Sequence, residues 1–90
     1  MTRFGFSIAI MPREGILDPQ GRAVEAALPQ LGASTVHGVR IGRRIELTVE
    51  ADDASTAREV VERLAAEFLA NPLVERWAID EAQPLAGVAG

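Results

Sequence analysis

The sequence predicts an α+β domain in which two helices cover one face of a four-stranded antiparallel sheet, in the order βαββαβ. Three observations carry that expectation. Residues 2–11 alternate apolar and polar side chains with period two, two later stretches place apolar residues at helical spacing, and strand-like runs flank Gly42. Ninety residues make one domain with a small core, since a chain of this size buries only roughly 60–65% of its unfolded surface. An apolar fraction of 48%, without low-complexity runs, fits a folded globule.

The first element runs from Thr2 to Met11, with Phe4, Phe6, Ile8 and Ile10 on one face and Arg3, Gly5, Ser7 and Ala9 on the other. Such alternation belongs to a half-buried strand. Pro12 brings no N–H to a ladder and Gly15 follows, so the strand ends there. Leu17-Asp18-Pro19-Gln20-Gly21 reads as a helix start. Asp18 can accept from free N–H groups of the first turn, and Pro19 suits the first helical position. Ala23, Val24, Ala27, Leu28 and Leu31 then share one helical face. Pro29 removes the backbone bond to Glu25, a fault costing ~3 kcal/mol in a helix interior. A kink or early stop near Leu28 is expected, with Gly32 closing the segment.

Val36 to Glu50 reads as two strands folded back at Gly42. A two-residue turn would put the apolar residues of the two strands on opposite faces. A three-residue turn (Gly42, Arg43, Arg44) pairs Ile41 with Ile45, Val39 with Leu47 and His37 with Val49. The core face is then Val39, Ile41, Ile45, Leu47 and Val49, with Arg40, Arg44, Glu46, Thr48 and Glu50 pointing away. Asp52, Asp53 and Ser55 are alternative caps for the second helix. Its stripe is Ala57, Val60, Val61, Leu64, Ala65, Phe68 and Leu69, and Glu59 with Arg63 forms an i,i+4 pair on the outer side. Asn71-Pro72 stops it. Val74 to Asp80 is the last strand, with Trp77 and Ile79 on one face, and residues 82–90 read as a flexible tail beyond a domain of residues 1–81. The order is the split βαβ, or ferredoxin-like, arrangement with one sheet face left open.

Composition argues against catalysis in this chain. It has no cysteine and no lysine, so a thiolate metal site, a cysteine nucleophile, a Schiff base and a phosphate-loop lysine are all excluded. Tyrosine is absent, and His37 is the only histidine, with no local partners for a metal site or triad. A net charge of −4 opposes nucleic-acid binding, and no aromatic lies on the open face to stack a base. The Asp52/Asp53 pair reads as helix capping, and no helix follows Gly38 or Gly42 to make a phosphate loop. Arg40, Arg43 and Arg44 can keep a strand edge soluble, or hold a partner's carboxylates or a phosphate. No apolar run approaches the ~18 residues of a membrane span, and the N-terminus lacks signal-peptide features, so a cytoplasmic location is expected.

Three separated stretches together resemble the PurS family, the small subunit of bacterial and archaeal phosphoribosylformylglycinamidine synthase. They are Gly15 to Gly21 (GILDPQG), Val39 to Arg43 leading to Glu46 to Glu50 (VRIGR, ELTVE), and Leu69 to Glu75 (LANPLVE). The resemblance covers about residues 3 to 80. Family members usually carry lysines, a Leu-Lys at Met11-Pro12-Arg13 and a tyrosine-rich last strand; here arginine replaces lysine, and Trp77 and Ile79 occupy that strand. The resemblance implies a three-component ligase of purine biosynthesis. A glutaminase subunit releases ammonia, and a large synthetase subunit uses ATP and Mg to convert formylglycinamide ribonucleotide to the amidine. The PurS-like subunit carries no cofactor of its own, joins the other two, assists ammonia transfer and self-associates as a homodimer or higher oligomer. Candidate partner-docking residues are Arg40, Arg43, Arg44, Asp18, Gln20, Asn71 and Trp77. The alternative is a free-standing ferredoxin-like regulatory module that binds a small metabolite at a dimer interface.

Overall fold

β1 (Thr2–Pro12) is the centre of the sheet and is buried on one face, as its unbroken alternation predicts of a half-buried strand. The computed structural model describes residues 1–80 and 83–84. β2 (Arg43–Ala51) runs antiparallel along one edge of β1, from Thr2↔Ala51 to Ile10↔Arg43. β3 (Glu75–Ile79) takes the other edge, from Ile8↔Ile79 to Pro12↔Glu75. A two-residue β4 (Gln83–Pro84) pairs with Gly5 and Phe4. The rest of the expected tail, residues 82 and 85–90, lies outside the described residues.

This register gathers Phe4, Phe6, Ile8 and Ile10 between Ile45, Leu47 and Val49 on one side and Trp77 and Ile79 on the other. α2 (Ala54–Leu64), followed by a π-helical turn (Ala65–Leu69), lies over them. Ala57, Val61 and Ala65 recur every fourth residue and are fully buried, their small side chains letting the helix sit close to the sheet. Asp53 caps α2, its Oδ1 accepting from the N–H of Thr56 at 2.7 Å. On the opposite face Arg3, Gly5, Ser7 and Ala9 pair across with Glu50, Thr48, Glu46 and Arg44, the open face that the sequence predicts.

The expected hairpin is not formed. Residues 36–42 belong to no strand, so the principal strands of the sheet are three. The three-residue turn needs a left-handed residue at its last position, Arg44, and no non-glycine among the described residues has a positive φ. Gly42 instead packs on the carbonyl of Ile10, where a Cβ would overlap that oxygen. Odd residues of β1 bond to β3, as Arg13 N to Val74 O (2.8 Å) and Asp80 N to Ser7 O (2.8 Å) show. Pro12 therefore faces the β2 side without a donor, and that ladder stops at Ile10↔Arg43.

α1 (Pro19–Ala27) begins and ends as predicted. Asp18 Oδ1 accepts from Gly21 N at 2.9 Å, and the helix tightens at Pro29 into a 3₁₀ turn (Leu28–Leu31) closed by Gly32 at φ 78°. Its position is a correction to the two-helix layer: α1 packs on its own 3₁₀ turn and not on the sheet, leaving Val24 41% and Leu31 77% exposed. The cause is the unfolded hairpin. With residues 36–42 running away from the sheet, α1 is tied to that segment and is carried off with it. Two smaller corrections concern α2. The π-helical bond from Ala70 N to Ala65 O (3.0 Å) rotates the last turn, so Phe68 leaves the core stripe and is 81% exposed. The outer ion pairs are Arg58–Glu62 (3.1 Å) and Arg63–Glu67 (3.9 Å), in place of Glu59–Arg63.

Candidate functional site

The arginines around Gly42 have three different partners. Arg43 emerges from β2 beside Ile10 and reaches across β1. Its Nη1 lies 2.5 Å from Glu75 Oε2, and its Nη2 donates to Glu75 Oε1 (3.1 Å) and to the carbonyl of Leu69 (2.7 Å). This planar fork ties β2 to β3 and to the end of the π-helical turn. Glu75 Oε1 also accepts from Asn71 N at 2.7 Å. The Arg43 guanidinium, and then the Asn71 N–H, hold the Glu75 carboxyl below its ordinary range, and the same carboxylate pushes Arg43 up. Asn71 folds its side chain onto the N–H of Leu73 (3.2 Å), and Arg13 Nε secures that turn through the carbonyl of Pro72 (2.9 Å).

Arg40 bonds the carbonyl of Pro12, an acceptor left where the β2 ladder stops, and the carbonyl of Arg13, which also accepts from Ile16 N (3.1 Å). Arg44 pairs with Glu46 (3.1 Å), two residues along the exposed open face, an interaction worth little in water. Asp18 serves two segments at once: Oδ1 accepts from Gly21 N and Oδ2 from Ile41 N, both at 2.9 Å. Those two N–H groups, Gly21 first, hold its carboxyl below the usual aspartate value. Beside it lies an open groove of about 440 Å³ lined by Ile16, Leu17, Arg22, Val39 and Arg40, with Gln20 exposed nearby. Trp77 is half-buried and, with Ile79, lines a second groove of about 510 Å³ against Arg58 and Glu62 of α2.

The seven residues singled out from the sequence therefore fall into four places. Arg43 and Asn71 meet at Glu75; Asp18 and Arg40 line the groove beside α1, with Gln20 exposed nearby; Arg44 stands on the open face; Trp77 lies in β3. Sequence reasoning passed over Glu25 and Glu75. Glu25 accepts from Gly38 N (2.6 Å) and Val39 N (3.4 Å), and its spacing of two helical turns from Asp18 is a signal that both carboxylates share a side of α1. Glu75 carries no such local signal.

Among the described residues no three His, Cys, Asp or Glu side chains gather to hold a metal. With no lysine in the chain and its shifted carboxylates engaged by backbone N–H groups or Arg43, the donor set does not fit an ATP–Mg site. No helix among the described residues is long and apolar enough to cross a membrane. What the surface presents is an open sheet face, two grooves and a helix that does not pack on the sheet.

Known proteins are similar to this chain. The family model described as PurS: Phosphoribosylformylglycinamidine (FGAM) synthase matches residues 6–83. Phosphoribosylformylglycinamidine synthase subunit PurS of Synechocystis sp. is 41% identical over 73 residues, which is 81% of this chain and 73% of the relative. The subunit of the same name from Thermotoga maritima is 35% identical over 81 residues, 90% of this chain and 99% of the relative. Among solved structures, the purS subunit of Thermotoga maritima superposes with a TM-score of 0.81 at 34% identity, covering 88% of this chain and 91% of that one. A chain of the PurLQS structure from Thermotoga maritima superposes with a TM-score of 0.83 at 34% identity, covering 90% and 99%.

Proposed function

The chain belongs to the PurS family of phosphoribosylformylglycinamidine synthase, and from that premise we propose that it is the non-catalytic small subunit of this ligase in cytoplasmic purine biosynthesis. It bridges the glutaminase and the large synthetase and assists passage of ammonia between them. The synthetase supplies the ATP and Mg chemistry that turns formylglycinamide ribonucleotide and glutamine into the amidine and glutamate. The observation that carries this reading is the family match over residues 6–83 of a chain that has no cysteine or lysine and presents exposed faces and grooves. A structure named PurLQS contains a chain of this fold, which supports the same assembly here. Gln20, Arg44 and Trp77 keep side chains available to partners, while Asp18, Arg40, Arg43 and Asn71 shape the surfaces that present them.

The ferredoxin-like layer is completed between two copies of the chain. Val24, Leu28 and Leu31 recur along one side of α1 and its 3₁₀ turn, and α2 with its π-helical turn carries a flank of half-buried Val60 and Leu64 and exposed Phe68. Ile45, Leu47 and Val49 are likewise only half-buried. An opened hairpin recovers its pairing in a second molecule. Val39 and Ile41 of one copy then lie against Leu47 and Ile45 of the other, and each α1 covers the other's sheet. Such an exchange presents two docking surfaces on one dimer.

Reconstitution tests the functional reading. The chain alone is expected to show neither glutaminase nor synthetase activity. Added to both partner subunits, it should raise glutamine-dependent synthesis more than ammonia-dependent synthesis. Equal effects on the two rates would remove ammonia transfer from its role.

A further inference from the structure

We propose that residues 17–41 form an arm assembled in advance by a clasp of two carboxylates, so that association docks an already ordered element. The proposal rests on the exchange reading above. Asp18 and Glu25 stand two helical turns apart on the side of α1 that faces residues 38–41. Asp18 Oδ2 accepts from Ile41 N at 2.9 Å; Glu25 Oε1 accepts from Gly38 N at 2.6 Å and from Val39 N at 3.4 Å. Gly38 at φ 70° turns the chain so that successive N–H groups converge on one carboxylate. Between the two acids lies Gly21, buried, where a Cβ would stand 2.6 Å from the carbonyl oxygen of Val39, so a larger residue would push helix and segment apart. Charge-assisted bonds of this kind are the stronger ones. Toward the sheet the arm is tied far more loosely: the side-chain hydrogen bonds from residues 17–41 to β1 and the loop after it all come from the Arg40 guanidinium. The arm is thus tight within itself and loosely joined to the body.

Without the clasp, residues 36–41 have few other backbone partners in a single chain and must order as they bind, which slows and weakens docking. Glu25→Ala removes one half of the clasp and keeps a strong helix former in α1. Amide exchange is read by NMR in a Leu31→Ser background kept dilute enough that sedimentation shows single chains. Protection of Gly38 and Val39 is expected to fall about ten- to a hundredfold in Glu25→Ala, while the β1 amides keep theirs. Asp18→Asn retains a capping oxygen without the charge, and a smaller loss is expected at Ile41. With Leu31 intact, two labelled populations of Glu25→Ala, each first diluted to single chains and then concentrated together, should form mixed dimers about tenfold more slowly than the parent. Unchanged protection at Gly38 and Val39 overturns the clasp whether or not the copies associate. Lost protection with an unchanged mixing rate overturns the claim that the clasp prepares docking. Lost protection in a chain that never associates upholds the clasp and overturns the exchange reading instead.

Discussion

Replacing Leu31 by serine should separate the dimer while sparing the fold of each chain. Leu31 is 77% exposed in the single chain and touches none of the buried core. Full burial of a leucine contributes ~1.5–3 kcal/mol, so about three quarters of that, ~1.2–2.3 kcal/mol, is still to be gained when α1 finds a partner. A two-fold exchange uses the side chain twice, giving ~2.3–4.6 kcal/mol and a dimer weaker by about 40- to 2,000-fold. Sedimentation across a concentration series measures this directly, with circular dichroism at the lowest concentration to verify that strand and helix content persist. The same substitution at Leu73, which is 84% exposed but lies in the turn before β3, should leave the dissociation constant within a factor of a few. An unchanged constant for Leu31→Ser, or a parent chain that stays monomeric at micromolar concentration, would refute the exchange.

Three further outcomes follow from the geometry. Ile8→Ala empties a fully buried site between β2, β3 and α2 and should destabilise the fold by ~2–5 kcal/mol in urea denaturation. Gly42→Ala forces a methyl onto the Ile10 carbonyl and should cost about 1–3 kcal/mol as overpacking, seen as a lowered urea midpoint with weakened protection where β2 begins. Glu75, Asp18 and Asp53 have folded values below their unfolded ones, so what they contribute is fully present above the ordinary carboxylate range, above about pH 5, and is lost as pH falls through the folded values. Thermal melts from pH 7 to pH 2 should show that loss, and Glu75→Gln should flatten it; an equal acid sensitivity in the variant would mean that the Arg43–Glu75 fork carries none of it.

Most of the local structure was legible in the residues. The alternation of Phe4, Phe6, Ile8 and Ile10 names the face of β1 that is buried, and the open face of Arg3, Gly5, Ser7 and Ala9 follows from it. Asp18, Pro19, Pro29 and Gly32 bound α1 as their capping chemistry requires, and Asp53 starts α2. These are short-range effects, decided within one turn or one pleat. The LDPQG, VRIGR and NPLVE stretches also carried the resemblance to the family that the comparisons establish. Four of the seven residues chosen as docking candidates turn out to be hydrogen-bonded within the chain, and Arg44 makes an exposed ion pair with Glu46; the partners of the four, among them Glu75, Ile41, Leu69 and the carbonyls of Pro12 and Arg13, lie far away in sequence or give no periodic signal.

Tertiary structure decided the rest, above all the path of the chain through Gly42. Locally, Val39 and Ile41 match Ile45 and Leu47 as well in one chain as between two, since a hairpin and its opened form use the same side-chain pairs. The choice between them lies with groups brought from elsewhere. The carboxylates of Asp18 and Glu25 take the N–H groups of Gly38, Val39 and Ile41, and the carbonyl of Ile10 lies against Gly42. Pro12 cannot extend the ladder, and Arg43 is drawn across the sheet to Glu75. Periodicity reports which face of an element is apolar; it does not report which molecule supplies the other half of the contact.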